Sequence, residues 1–465
     1  MDVIKKLFLS AKEVFPLVEG GKGIGVTNGL TAGSWAKQGG IGTFSGVNAD
    51  FYDENGNKVG IEYKTKTRQE RHQELIEFGI KGGIAQAKIA NDISGGNGRI
   101  HMNILWEMGG AQKILEGILD GAKGLIHGVT CGAGMPYKLA DIAAKYKVYY
   151  YPIVSSARAF NALWKRSYQK VSDLLGGVVY EDPWKAGGHN GLSNAEDPES
   201  PEAPFERVLN LRKLMNGLGL SMVPIIMAGG VWQLNDWADW INNEDLGPIG
   251  FQFGSRPLLT QESPIPPSWK AKLMTLKEGD IYLNRFSPTG FYSSAVKNQF
   301  LNNLRERSER QMAYASSPEG AMTQAFAHGP RQRIIYLSPE DHQRATDYAL
   351  LGFTQLLPTP DNTMIFITPE EGQQIHTDQV NCMGCLSACK FSNWLQEKPF
   401  TTGQKADPRS FCIQKTLQQA VHSDDIENNL MFAGHNAFRF ATDPFYANGF
   451  VPTVQQLFER ILTGA

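Results

Sequence analysis

Four of the five cysteines lie close together near the C-terminus, Cys382, Cys385 and Cys389 in VNCMGCLSACKFSNW and Cys412 in RSFCIQK. In a reducing compartment such clustering points to metal ligation rather than to cross-linking. The first three form a C-x2-C-x3-C run. Zinc sites built from four thiolates usually pair two C-x2-C knuckles, and only one is present. Three close thiolates and a distant fourth suit the corners of an iron–sulfur cube better, with zinc as the alternative and no metal as the third reading. His376 and His422 are spare ligands or ordinary surface histidines.

A second set of residues could handle protons and anions. His189 sits in KAGGHNG, where flanking glycines would let an imidazole with a pKa near neutrality reach a bound ligand. MAGGVW presents Gly229 and Gly230, and FGSRPLL presents Gly254 and Ser255. Glycine turns that open into helices expose backbone N–H groups and form anion sites. EGGKGIGVTNG places Gly20 and Gly21 after an early apolar run. Asn103 in HMNILW offers the donor and acceptor that a flavin pyrimidine edge requires, or is a turn residue.

These residues need elements to carry them. Eight β-rich runs alternate with helical patterns: Phe15–Val18, Gly40–Phe44, Ile100–Leu105, Gly124–Gly128, Lys147–Val154, Gly177–Tyr180, Val223–Ala228 and Ile249–Phe253. Between them AGSWAKQ, AQKILEGILDGA, PYKLADIAAKY, RAFNALWKRSYQ, PFERVLNLRKLMNGLG and WQLNDWADWI repeat apolar residues at 3- and 4-residue spacing. Eight β-then-α units predict an α/β fold, a closed (β/α)8 TIM barrel, with its chemistry at the C-terminal strand ends and phosphate at strands seven and eight. Residues 50–98 read as an insertion after the second strand, a hairpin followed by a polar helix. Residues 183–204 read as a long loop after the sixth. The expected boundary lies near residue 310, giving a barrel over 1–310 and a smaller α+β metal-binding region over 311–465, with a strand–helix–strand unit before the cysteines.

Composition bounds the rest. The chain has 465 residues, 42% hydrophobic and 20% charged, with a formal net charge of -2. That balance advertises neither nucleic acid nor a cationic partner. No apolar run suits a signal peptide or a membrane span, so a cytoplasmic protein without membrane attachment is expected. The aromatic segments WQLNDWADW and FSPTGFY suit barrel core or, in a homo-oligomer, a subunit interface.

EGGKGIGVTNGLTAGSWAKQGGIGTFSG, HMNILW, KAGGHNG, VPIIMAGGV and GFQFGSRPLLTQES, in this order, resemble the nitronate monooxygenase (2-nitropropane dioxygenase-like) family, itself similar to FMN-dependent enoyl-acyl-carrier-protein reductases. The resemblance covers roughly residues 14–275. It implies FMN, with Gly229, Gly230, Gly254 and Ser255 carrying the phosphate. Gly20, Gly21, Asn103 and Gln252 would lie near the isoalloxazine, and His189 would act as base or proton donor. The chain departs in two places. Strand five reads YYYPIVSS where many relatives carry a lysine near the flavin. VTCGAGMP, read as a loop after strand four, places Cys131 where relatives tend to have a small residue. The cysteine run is similar to the [4Fe–4S] motif of flavoenzymes related to 2,4-dienoyl-CoA reductase.

The expectation is therefore an FMN-dependent oxidoreductase acting on a small organic or acyl substrate. Two readings stand beside it: an enoyl-thioester reductase on the same fold, and a flavin-free phosphometabolite isomerase or lyase. A non-catalytic electron carrier is a fourth. No Gly-x-Gly-x-x-Gly strand–helix signature follows the barrel. Electrons would come from NAD(P)H docking on the FMN or, preferably, from a ferredoxin-type carrier.

Overall fold

The computed structural model describes residues 4–464. Eight strands close into one parallel barrel: Leu17–Glu19, Ile41–Ser45, Arg99–Leu105, Gly128–Gly132, Tyr149–Val154, Val178–Glu181, Ile225–Ala228 and Ile249–Phe253, the eighth pairing with the first. The strands are short and largely buried on both faces, as parallel strands covered by helices must be.

Strand four lies four residues later than the sequence pattern suggested. Gly124 adopts φ 82° in the turn that follows the helix Ala111–Gly121, so the chain reaches the sheet only at Gly128. Cys131 is consequently a strand residue and not a loop residue. It is 0% exposed, and burial pushes its thiol far above the ordinary range. It fills space between strand and helices. The segment WQLNDWADWI gives only a 3-10 turn, Leu234–Trp237, yet Trp237 and Trp240 are buried and meet edge to face at 4.8 Å.

Alternation along the strands turns Val18, Ile41, Tyr151, Val179, Ile226 and Ala228 into one interior cluster, shared with Leu9 and Val14. The last two belong to an N-terminal hairpin, Leu7–Leu9 with Lys12–Val14, whose turn residues Ser10 and Ala11 take φ 48° and 61°. Ser10 Oγ lies 2.8 Å from His101 Nε2 and 2.8 Å from the Tyr151 hydroxyl. The hairpin thus stoppers the N-terminal mouth and leaves the C-terminal mouth for a ligand.

The insertion forms the expected hairpin, Phe51–Tyr52 with Lys58–Val59, and a long helix, Arg68–Ile93. That helix crosses the first barrel helix, Gly29–Lys37, at two glycines. A Cβ at Gly29 or Gly33 would stand 2.5 Å from the Gln86 carbonyl oxygen or 2.7 Å from that of Ala90. Arg68 and Arg71 on the same helix reach the cysteine segment. They donate to the carbonyls of Gln379 and Ser392, and of Val380 and Cys382, at 2.6–3.1 Å.

A small antiparallel sheet begins at Gln311–Ala313 and includes Gln355–Pro358 and Thr363–Ile367. The helices Pro339–Leu350 and Pro369–Val380 accompany it. Beyond the cysteines the chain returns to the barrel with the helices Ile413–His422 and Val454–Thr463. Phe458 of the last helix is 1% exposed and meets Trp35 edge to face at 5.2 Å. Among the described residues no helix is long and apolar enough to cross a membrane.

Phe458→Ala would leave a cavity against Trp35 and Phe15. The expected loss is about 3–5 kcal/mol of stability, read from the urea midpoint at unchanged m-value.

Candidate active site

Gly20, Gly21, Asn103, His189, Gly229, Gly230, Gln252, Gly254 and Ser255 all line one cavity at the C-terminal ends of the barrel strands. The cavity has a volume of about 200 Å³ and opens at the barrel mouth. Gly229 and Gly230 follow strand seven with φ 88° and 76°, a backbone that L side chains rarely adopt. A Cβ at Gly254, beyond strand eight, would meet nothing within 4 Å. Neighbouring packing therefore does not explain the glycine there, and the space is free for a ligand. At Gly21 the reverse holds, because a Cβ would lie 2.2 Å from that of Asn103.

The sequence did not announce the roof. Residues 430–436 run over the mouth as a strap, and Leu430, Met431, Phe432, Ala433, Gly434 and Asn436 line the cavity. The Gly434 N–H donates to Ser255 Oγ at 2.8 Å, Asn436 Nδ2 to the Gly230 carbonyl at 2.6 Å, and the His435 N–H to the Lys185 carbonyl at 3.0 Å. A Cβ on Gly187 would stand 2.5 Å from the Ala433 carbonyl carbon. The strap is thus tied to the loops after strands six, seven and eight.

His189 lies on a two-residue strand, Gly188–His189, paired with Ser293 and Ser294, rather than on a free loop. Its Nε2 is 2.6 Å from Ser287 Oγ, which in turn is 2.8 Å from Thr289 Oγ1, another cavity residue. Phe432 meets the ring edge to face at 5.5 Å. Burial lowers the imidazole pKa to about 4. At neutral pH the ring is uncharged and can accept a proton or exchange hydrogen bonds.

Four titratable cavity residues, Lys22, Glu107, Glu181 and Lys185, escaped the sequence reading. Lys22 donates from Nζ to the Gly20 carbonyl at 2.6 Å and lies within electrostatic reach of the buried carboxyl of Glu19. Burial drives the amine down and the carboxyl up. Glu107 accepts from Ser387 Oγ at 3.1 Å. Glu181 ends strand six, and period-two alternation along VVYE was the signal that would have found it.

The four clustered cysteines come together. The thiols of Cys382, Cys385, Cys389 and Cys412 influence one another electrostatically, and burial raises those of Cys385, Cys389 and Cys412. Donors surround the sulfurs. Gly384 N–H and Ser392 Oγ reach Cys382 at 3.5 and 3.0 Å, while backbone N–H groups of Gln414 and Lys415 serve Cys385 and Cys412. Cys385 also lines the cavity. Among the described residues no three His, Cys, Asp or Glu side chains are grouped to hold a metal ion. This arrangement therefore shows neither the iron–sulfur nor the zinc expectation. Neither spare histidine joins the group: His422 pairs with Asp50 at 3.1 Å, and His376 is exposed.

A family model for nitronate monooxygenase matches residues 118–445, well over half of the chain. No curated protein matches by sequence. Among solved structures, FabK from Thermotoga maritima is similar at a TM-score of 0.50 and 15% identity, covering 96% of this chain and 91% of that one. The enoyl reductase domain of MlnA from Bacillus amyloliquefaciens is similar at a TM-score of 0.52 and 13% identity, covering 96% and 93%. At such identity the structural likeness speaks for the fold. The chain belongs to the nitronate monooxygenase family and is an oxidoreductase of the FMN type.

The depressed pKa of His189 ties stability to pH. The unfolded chain binds a proton near pH 6.5 and the folded ring only near 4, so stability should fall as pH drops from about 6.5 towards 4. His189→Gln should flatten that part of a urea-midpoint profile. An unchanged slope would show that the imidazole is not desolvated.

Proposed function

Given that membership, we propose that the chain is an FMN-dependent oxidoreductase that uses His189 to move a proton at a small organic substrate of nitronate type. The observation that carries this reading is the convergence of Gly229–Gly230 and Gly254–Ser255 on the cavity that His189 faces. The residues fit the group. The open space at Gly254 and the left-handed pair after strand seven suit a phosphate on backbone N–H groups. Gly20, Gly21, Asn103 and Gln252 suit the ring, with the Asn103 amide as donor and acceptor. Bound FMN would supply the exchange of hydride or electrons. Neutral His189, oriented by Ser287 and Thr289, would take or return the proton, while the strap excludes water from the mouth.

Reduction of an enoyl thioester is the second reading. It is favoured by the apolar side of the cavity, where Val26, Leu417, Ala420, Leu430 and Met431 could receive an acyl chain.

For the cysteines the C-x2-C-x3-C spacing, the mutual influence of the four thiols and the N–H donors that serve them support a cluster reading. Cys382, Cys385, Cys389 and Cys412 would hold a [4Fe–4S] group, with Cys385 also forming cavity wall. Electrons would then enter from a ferredoxin-type carrier; direct reduction by NAD(P)H is the competing route. A cytoplasmic setting goes with this reading.

Anaerobically purified protein should be yellow-brown, release FMN and contain about four irons and four sulfides per chain, as a cube requires. A colourless protein would leave the phosphometabolite isomerase or lyase. Yellow protein lacking iron would remove the cluster alone. His189→Ala should keep the flavin and lose about 10²–10⁴-fold in turnover of alkyl nitronates with oxygen or of enoyl thioesters without it, whichever is accepted. Fast flavin bleaching by NAD(P)H alone would remove the need for a carrier protein.

A further inference from the structure

Glu181 occupies a place on the cavity floor that neither the mechanism nor the family comparison uses. Val179 points into the barrel, so Glu181, two residues on, faces the same side, where it lines the cavity. On one flank strand five pairs Ile153 with Val179, and Ile153 also lines the cavity. This is the strand on which the lysine expected near a flavin is missing. On the other flank the register partner of Glu181 is Ala228, which leaves room beside the carboxyl. Among the described residues the Glu181 carboxyl has neither a hydrogen-bond nor an ion-pair partner; its one electrostatic neighbour, Asp182, carries the same charge.

Building on the FMN reading, we propose that Glu181 is a flavin-contact residue, a carboxylic acid that donates a hydrogen bond to the isoalloxazine in place of the absent strand-five ammonium. A protonated acid and an ammonium both present a donor, and a donor held at a ring that gains electrons favours the reduced state. Burial, with Asp182 adjacent, pushes this acid up to about 8, so it keeps its proton at neutral pH. Asp182 is itself occupied, accepting from the N–H groups of Trp184 and Lys185 at 2.8 and 2.9 Å. The other titratable groups facing the cavity are Lys22 after strand one, Glu107 after strand three, Lys185 and His189 after strand six, and Cys385 from the cysteine segment. None forms an ion pair with Glu181. Below its pKa the proton stays on Glu181 while the ring changes state, and no bond to it is made or broken. The acid acts by donating below its pKa and by placing a negative charge near the ring above it.

The test is the midpoint potential of the bound flavin, measured anaerobically from about pH 6 to about 9.5 in the holoenzyme and two variants. The wild type should show an added downward break near pH 8. Glu181→Gln keeps a donor but cannot ionise, and should match the wild type at pH 7 while losing the break. Glu181→Ala should lie lower at pH 7 and also lack the break. Coincident wild-type and Glu181→Gln curves would overturn the proposal, as would an unaltered potential at pH 7 in Glu181→Ala. If the alanine variant sheds its flavin, the glutamine curve decides alone. A wild-type protein that holds no flavin would instead overturn the FMN reading, and this inference with it.

Discussion

The site depends on one close approach of backbone to backbone. Gly187 and the Ala433–Gly434 peptide lie so near that neither glycine can take a side chain without moving the other segment. Through that contact the strap reaches the loop carrying His189, and its amides bind Ser255, Gly230 and Lys185. The loops that would carry a phosphate are thus held by residues more than 170 positions away in sequence. A barrel alone would offer an open bowl. The strap turns it into a chamber in which buried charges count for more.

Several ionisable groups remain near that chamber without full compensation. Burial raises the Glu19 carboxyl to about 7 and lowers the Lys22 amine to about 8, and His189 and His435 are both lowered to about 4. Desolvation is the largest cause in each case. Burying ionisable groups in this way costs stability, and such groups concentrate where a protein binds or transforms something. The barrel's opposite mouth shows the contrast. There Ser10, His101 and Tyr151 satisfy one another and the hairpin seals the end.

Much of this was legible in the residues. The eight β-then-α units are regular enough to count, and the glycine pairs stand directly after strands, so both the barrel and the mouth that carries the site could be read. Strand four slipped because the apolar run at Gly124–Leu125 is continuous with the strand pattern, while the turn that delays the strand depends on a positive φ. The helix expected from WQLNDWADWI shrank to a 3-10 turn because its tryptophans are fixed by tertiary packing whatever the local backbone. The strap was invisible for a different reason. LMFAGHNAF has no motif of its own, and its role exists only through a contact of high sequence separation. The cysteine spacing was readable, but spacing does not report how far apart the sulfurs finally stand.

The crossing at Gly29 and Gly33 and the arginines of the insertion helix have a bearing on biosynthesis. The strap and the cysteine segment are translated after all eight barrel strands. Until they emerge, Arg68 and Arg71 lack the carbonyls they will hold. The nascent barrel therefore presents an uncovered bowl that only the late-made residues close. The chamber is thus completed only by the last part of the chain to be made.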